Sequence, residues 1–177
     1  MQVVAHHERM VRNVFLNVEL ILNDGIRELS EYDIQGMMFL AFRSALANTG
    51  VHADREKSGK VDCVLYEAAK PRVFYEIKTC FKSHEKVRKK DFDHDLGKLG
   101  GLLKAHPGAR GFFFIAGAKA KFTDTALSEF PFVRLHLKKQ DRRWVNYSLA
   151  TNGNLRLRPS QKQHHGRSVV ITWEVKV

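Results

Sequence analysis

The stretch Val73-Phe74-Tyr75-Glu76-Ile77-Lys78-Thr79 decides the fold that we expect for this chain of 177 residues. It follows a similar run, Val61-Asp62-Cys63-Val64-Leu65-Tyr66-Glu67, after a break at residues 68–72 that contains Pro71 and two basic residues. Both runs are rich in β-branched and aromatic residues, which favour strands, and the break between them carries turn signals. The pair therefore predicts a β-hairpin.

Charged side chains interrupt this otherwise apolar hairpin. Because side chains alternate along a strand, Glu76 and Lys78 are expected on one face of the second strand, with Ile77 on the other. Asp62 on the first strand would join Glu76 if the register places them opposite each other, and the sequence leaves that register open. Buried charges are costly unless they are compensated. A divalent cation on the carboxylates and a phosphate near the lysine would supply that compensation.

The hairpin lies within a series of predicted helices and strands. An amphipathic helix is expected at residues 6–22, where apolar residues recur at spacings of three and four, and a second helix is expected after Ser30, a good N-cap residue. A short strand at 51–55 precedes the hairpin. After the hairpin, the sequence predicts a helix at about 91–104 and a buried strand at 111–117, an apolar run bounded by glycines that belongs in the centre of a sheet.

The last third of the chain has a strand-like pattern that is interrupted by polar, basic segments. A short helix is expected at 123–130, and strands are expected at 132–137, 143–149 and 168–177. Basic residues and turn formers predict a linker at 158–166.

Length and element order favour one domain that covers residues 1–177. The expected fold class is α/β (α+β), with a central mixed sheet flanked by helices. Its core spans about residues 30–117, with an extra N-terminal helix at 6–22 and a basic, strand-rich C-terminal extension at 131–177.

The order helix, three strands, helix, strand resembles the core of the PD-(D/E)XK nuclease superfamily, which has the restriction-endonuclease-like fold. The residues that carry the resemblance are Lys60-Val61-Asp62 on the second strand and Glu76-Ile77-Lys78 on the third. Val61 stands where the superfamily pattern has proline. The resemblance covers about residues 30–117 and implies a nuclease-like domain.

By this resemblance, the chain would be a Mg²⁺-dependent endonuclease that hydrolyses phosphodiester bonds in DNA, in restriction, repair, recombination or defence. Asp62, Glu76 and the backbone carbonyl of Ile77 would hold Mg²⁺, for which Mn²⁺ could substitute. Lys78 would position the attacking water and offset the negative charge that develops. Because a free lysine has a pKa of about 10.4, positioning is the safer role for it than acting as a base.

The superfamily often adds an acidic residue from the first core helix. Glu31 is expected to fill this role, and Gln35, one turn later, is the competing candidate. Lys98 and Asp95 lie on the helix after the third strand, where residues of the superfamily face the scissile phosphate, although their i,i+3 spacing also suits a surface ion pair. A further alternative is that acidic residues at 54 and 56 reach the ion from the end of the preceding strand.

The net charge of +11 is concentrated in residues 103–177, which contain 14 Lys and Arg against 4 Asp and Glu. Such asymmetry predicts a surface that faces a polyanion, here duplex or branched DNA, although a basic surface without a specific ligand remains an alternative. The residues expected to contact nucleic acid are Lys60, Arg88, Lys89, Lys90, Lys138, Arg142 and Arg143. Further basic candidates in the C-terminal part are Arg134, Arg156 and Arg158.

The remaining sequence features narrow the functional class. Cys63 and Cys80 are expected to be reduced thiols, and no spacing typical of a zinc site, a P-loop, a dinucleotide site or a serine hydrolase occurs. No signal peptide or membrane span is expected, so the prediction is a cytoplasmic protein of a prokaryotic or phage-like kind. The first helix is a candidate homodimer interface. The competing hypotheses are a nucleic-acid-binding module of the same fold that does not cut, and a protein-interaction domain.

Overall fold

The computed structural model describes residues 2–23, 29–55, 61–81, 89–118, 143–150, 153–165 and 168–177. Within these ranges the chain forms an α+β fold with three helices and a seven-stranded mixed open sheet. The helices are α1 (Gln2–Asn23), α2 (Glu31–Ala45) and α3 (Lys89–Ala105). The strands are β1 (Val51–Arg55), β2 (Cys63–Glu67), β3 (Lys70–Cys80), β4 (Arg110–Ala118), β5 (Val145–Ser148), β6 (Asn154–His165) and β7 (Ser168–Lys176).

The strand order in the sheet is β1-β2-β3-β4-β7-β6-β5. Only β3 and β4 run parallel, and α3 lies between them in the chain, as a parallel connection requires. The other neighbours are antiparallel. The apolar run predicted as the central strand is β4, which has three strands on each side, and β7 from the C-terminal region pairs directly with it.

Both faces of β3 are buried, and alternation sends its side chains into two separate apolar layers. Tyr75 and Ile77 pack in the layer formed with α1 and α2, whereas Phe74 packs in the layer formed with α3. Glu76 and Lys78 follow Phe74 in phase and point toward α3. The predicted division of side chains between the two faces is therefore confirmed.

The N-terminus of α2 is fixed by a capping box. Ser30 Oγ accepts a hydrogen bond from the Asp33 backbone N–H at 3.3 Å, and Asp33 Oδ2 accepts one from the Ser30 backbone N–H at 2.8 Å. Reciprocal capping satisfies two of the donors that a helix start leaves free. The predicted N-cap residue is confirmed, and it sets where Glu31 and Gln35 lie on the helix.

Helix α1 begins at Gln2, four residues before the expected start, and His7 near its beginning is anchored in the sheet. The His7 ring stacks on Phe112 with a centroid distance of 4.0 Å. Its Nδ1 lies 3.1 Å from Tyr75 Oη, and its Nε2 lies 3.1 Å from Ser160 Oγ. Polar contacts on both ring nitrogens satisfy a side chain that is only 3% exposed.

The hairpin turn is shorter than the sequence predicted. Residues 70–72 belong to β3, and only Ala68 and Ala69 form the turn, with φ angles of 49° and 61°. Positive φ at both central residues matches the twist of a two-residue hairpin. The expectation of a break over 68–72 was wrong because alanine gives no signal for positive φ, and because a register shift between Leu65 and Tyr66 lets Pro71 pair within the sheet.

The predicted linker at 158–166 was also wrong, since β6 continues to His165. Leu155, Leu157 and Pro159 are buried at alternate positions, which is the period of a strand. Strand β5 pairs only with residues 154–157, so Pro159 lies beyond its reach, where a strand tolerates a missing N–H group. The alternation was present in the sequence, but the basic and polar residues around it obscured it.

The expected strands at 143–149 and 168–177 correspond to β5 and β7. The expected helix at 123–130 and strand at 132–137 lie outside the described residues. Cys63 and Cys80 are both buried. Among the helices that the structure describes, none is both long and apolar enough to cross a membrane.

Helix α3 is joined to the C-terminal strands through Asp93. Its Oδ1 accepts a 2.6 Å hydrogen bond from Tyr147 Oη, and its Oδ2 accepts a 3.2 Å bond from the Ala150 backbone N–H. Asp93 is 4% exposed, so these contacts lie in the interior. They fix α3 relative to β5 on one side while its other side faces β3.

Acidification should destabilise the protein through His7. Burial, together with the nearby charge of Arg110 and against that of Glu174, lowers the pKa of His7 from 6.5 to about 3. The unfolded chain then binds the extra proton first, so the free energy of unfolding should fall as pH decreases from about 6.5 toward 3, by up to about 1.4 kcal/mol per pH unit. Urea unfolding across this pH range measures the slope.

The variant His7→Gln should show a flatter pH dependence than the parent protein, even though its stability at pH 7 is lower. His52→Gln changes an exposed histidine and serves as the control, with an unchanged slope expected. Equal slopes for His7→Gln and the parent protein would contradict this role of His7.

Candidate functional site

The register of the hairpin brings Asp62 beside Glu76. Cys63 pairs with Tyr75, and in an antiparallel pair the preceding residue, Asp62, comes opposite Glu76. The Asp62 carboxylate is fixed there by the β3 backbone, because its Oδ2 accepts a 2.6 Å hydrogen bond from the Ile77 N–H. The question that the sequence left open is settled by this contact.

Gln35 on α2 holds the second oxygen of Asp62. Its Nε2 donates to Asp62 Oδ1 at 2.6 Å, and its Oε1 accepts a 3.3 Å hydrogen bond from Arg55 Nη2. Gln35 is 2% exposed, so its amide is fixed between two partners. Arg55 was missed by sequence reasoning, since nothing in its local pattern distinguishes it from a surface arginine at the end of β1.

Glu76 is the most buried charged residue of the cluster, with 1% of its surface exposed. Burial raises its pKa to about 9, the negative charge of Asp62 adds to this effect, and Lys98 opposes it. Lys98 Nζ lies 3.0 Å from Glu76 Oε1. A carboxylate in this setting strongly favours a positive partner.

Lys78 lies between two acidic residues from different helices. Its Nζ is 3.2 Å from Glu31 Oε1 on α2 and 3.0 Å from Asp95 Oδ2 on α3. Burial alone would lower its pKa, but Asp95 and Glu31 outweigh burial and hold the pKa above its usual range. Lys78 is therefore a protonated ammonium in this arrangement.

Lys98 closes the cluster on α3. Its Nζ lies 3.2 Å from Asp95 Oδ1 as well as near Glu76, and these carboxylates raise its pKa despite the opposing effect of burial. The result is an alternating chain of charges that joins α2, β3 and α3. Its members, in order, are Glu31, Lys78, Asp95, Lys98 and Glu76.

Most residues predicted for the site are brought together. Glu31 and Gln35 both reach it, but through different partners: Gln35 contacts Asp62, and Glu31 contacts Lys78. Asp95 has a larger role than its i,i+3 pair with Lys98 suggested, because it also binds Lys78. That contact depends on where α3 lies over β3, which no local pattern encodes.

Three of the seven residues predicted to contact nucleic acid lie in the described part of the chain. Arg143 is exposed before β5, and Lys89 and Lys90 form the beginning of α3. The other four, Lys60, Arg88, Lys138 and Arg142, lie outside the described residues, as does the further candidate Arg134. Of the two alternative acidic residues, Asp54 pairs in register with Val64, and Glu56 lies outside the described residues.

The oxygen atoms available at the site suit a hard divalent cation. Asp62 and Glu76 offer carboxylates and Ile77 a backbone carbonyl, and Mg²⁺ is typically held by one or two carboxylates while it keeps several waters. In the described part of the chain, no group of three or more His, Cys, Asp or Glu side chains could hold a metal ion. A cation here would therefore depend on the two carboxylates, with water completing its coordination.

Comparison with models of protein families found no match, and neither did comparison with curated proteins or with solved structures.

Replacing Glu76 should remove a pH-dependent loss of folding stability. The pKa of Glu76 is raised from 4.5 to about 9, so the folded protein retains a proton that the unfolded chain releases between these values. The free energy of unfolding should then decrease as pH rises through this window, by up to about 1.4 kcal/mol per pH unit. Glu76→Gln removes the titration, so its stability relative to the parent protein should grow between pH 5 and pH 8 in EDTA.

Glu67→Gln is the matched control, because Glu67 is a half-exposed acidic residue of β2 that pairs with Arg72. Chemical denaturation of the three proteins at both pH values gives the comparison. A constant stability difference between Glu76→Gln and the parent protein would show that Glu76 does not titrate in this range.

Proposed function

We propose that this chain is a divalent-metal-dependent endonuclease of the PD-(D/E)XK type that hydrolyses phosphodiester bonds in DNA. The observation that carries the proposal is the placement of the Asp62 carboxylate on the Ile77 amide, beside the buried Glu76. Two ionised carboxylates held close together in an interior site repel each other, and a divalent cation that displaces the proton of Glu76 would relieve that repulsion. The next residue on the same face of β3 is a lysine, as the resemblance implies.

The order of elements supports the same proposal. Helix α2, the strands β1 to β3, helix α3 and strand β4 follow in the order that the restriction-endonuclease-like fold implies. The antiparallel β1–β2–β3 meander brings Asp62 opposite Glu76, two residues before Lys78 on the strand that pairs in parallel with β4. In the proposed reaction, the substrate phosphate would lie near the lysine and both carboxylates.

The residues of the chain have separable roles in the proposed reaction. Mg²⁺, held by Asp62, Glu76 and the Ile77 carbonyl, would supply Lewis-acid activation of water and neutralise phosphate charge. Gln35 and the Ile77 amide keep the Asp62 carboxylate oriented. These hydrogen bonds leave lone pairs on both Asp62 oxygens for a further ligand.

Lys78 acts as a charged donor in this proposal and not as a base. Asp95 and Glu31 raise its pKa and so favour the ammonium form, which can hydrogen-bond the attacking water or a phosphate oxygen. Lys98 contacts Glu76 within the protein, and in this proposal it pairs with a phosphate when a cation binds Glu76. Asp95 acts through these two lysines as a positioning residue.

A non-catalytic nucleic-acid-binding module is the second candidate. The observation that favours it is that both lysines of the cluster already have carboxylate partners within 3.2 Å. Such a network can act as a structural tie between α2, β3 and α3 without any reaction. Cleavage assays separate the two functions.

Purified protein should cut plasmid and linear DNA in Mg²⁺, and EDTA should abolish the cutting. Glu76→Gln, Asp62→Asn and Lys78→Gln should each lower the cleavage rate by about a hundredfold or more, because each removes a cation ligand or a charge that stabilises the transition state. Gel quantification of linear and nicked products gives the rates.

Lys104→Gln removes one exposed positive charge from the last turn of α3 and is the control for general charge effects. It should cut at nearly the parental rate. Cleavage that survives Glu76→Gln and Lys78→Gln would exclude this site, and DNA binding without cleavage in Mg²⁺ and Mn²⁺ would favour the binding module.

Metal binding can be measured without any cleavage. Mg²⁺ should raise the melting temperature of the parent protein, because a ligand that binds only the folded state stabilises it, by about 2.7 kcal/mol at a hundred times its Kd. Asp62→Asn and Glu76→Gln should lose this increase, while Glu67→Gln should retain it. An equal increase in all four proteins would place the ion elsewhere.

A further inference from the structure

Basic side chains surround Trp144, and we call this region the tryptophan surface. It consists of Trp144, Arg156, Arg158 and Lys176. The distances from the indole centroid are 5.7 Å to Arg156 Cζ, 4.7 Å to Arg158 Cζ and 4.4 Å to Lys176 Nζ. All three cations lie within cation–π range of one partly exposed indole, which is an unusual concentration of positive charge.

The positive charge of this surface is only partly balanced among the described residues. Arg156 and Lys176 are directly opposite each other in the β6–β7 register, and both are exposed. Like charges at opposed positions of a sheet destabilise it. Glu174 pairs with Arg158, but it also binds Arg110, whose Nε and Nη2 lie 2.9 and 2.8 Å from its Oε1. A net positive charge therefore remains beside the indole.

This surface is separate from the candidate active site. Strand register places Glu174 on the same side of the sheet as Phe112, which belongs to the layer with α1 and α2, whereas Glu76 points toward α3. Arg156 lies three strands and three residues away from Glu76, on the order of 17 Å across the sheet, and Lys176 lies two strands and three residues away, on the order of 14 Å. The tryptophan surface thus lies on the opposite face of the sheet.

Its chemistry combines two elements that single-stranded nucleic acid recognises together. Cations bind the phosphates, and an accessible aromatic ring provides a stacking surface for an unpaired base. A duplex would use only the cations, because its bases are already stacked within the helix. The partly exposed indole among the cations therefore favours a single strand.

We propose that the tryptophan surface binds a single-stranded segment of nucleic acid, an inference that rests on the proposed function for its choice of nucleic acid as the partner. Lys176 and Arg156 move from the indole to two phosphates, which relieves their mutual repulsion. The indole face that they leave then stacks on a base.

Binding to a fluorescent oligothymidylate and to a duplex of equal length, both in EDTA, tests the proposal. Trp144→Leu should weaken binding of the single strand by about tenfold and leave duplex binding unchanged, whereas Trp144→Phe should retain most of the affinity. Arg156→Gln combined with Lys176→Gln should weaken single-strand binding and lower the slope of log K against log salt by about 1.4, the value for two phosphate contacts.

Lys104→Gln again controls for the loss of a charge elsewhere. It should change affinity less than Trp144→Leu does, and it should change the salt slope less than Arg156→Gln combined with Lys176→Gln does. A second measurement uses the parent protein alone: bound oligothymidylate should protect its fluorescence from iodide, since Trp144 is partly exposed and Trp173 is fully buried. Single-strand affinity that is unaffected by Trp144→Leu, an equal loss for single strand and duplex, or an absence of iodide protection would each overturn the proposal.

The outcome is independent of catalysis, because EDTA removes divalent cations and Glu76 is unchanged. Loss of the tryptophan-dependent binding with normal cleavage overturns only the surface. Tryptophan-dependent binding without cleavage supports the surface and removes only the proposed enzyme.

Discussion

Burial of β3 on both faces is the constraint on which the rest of the structure depends. Tyr75 and Ile77 pack under α1 and α2, so alternation sends Glu76 and Lys78 into the opposite layer under α3. Charged side chains at these positions are shielded from bulk water. They form ion pairs with residues of α2 and α3. The charged cluster is thus a direct result of one strand having no solvent face.

The position of α3 connects this cluster to the C-terminal strands. One side of α3 supplies Asp95 and Lys98 to the charges on β3, and Asp93 binds Tyr147 and the Ala150 amide on the other. A helix held from two sides keeps its side chains in place, which a preorganised site requires. The C-terminal strands therefore contribute to the site by positioning α3, while the five charged residues of the described cluster lie on α2, β3 and α3.

The sequence was sufficient for local features and insufficient for those that depend on distant contacts. Alternation placed Glu76 with Lys78, and Ser30 marked the start of α2, because both follow from the period and the capping of one element. The position of Asp62 depended on a turn with positive φ at two alanines, and alanine has no preference for positive φ from which this turn could be predicted. The contact of Asp95 with Lys78 joins α3 to β3 and required the assembled sheet.

The pairing of β7 with the central strand β4 has a consequence for folding during synthesis. Strand β4 contains three consecutive phenylalanines, and one of its two edges pairs with β7, whose partner residues come 50 to 64 positions later in the chain. During synthesis β4 leaves the ribosome first and presents an open, aromatic strand edge, the kind of edge that templates aggregation. We therefore expect the sheet to form slowly and folding to depend on chaperones, because strands that are far apart in the sequence pair late.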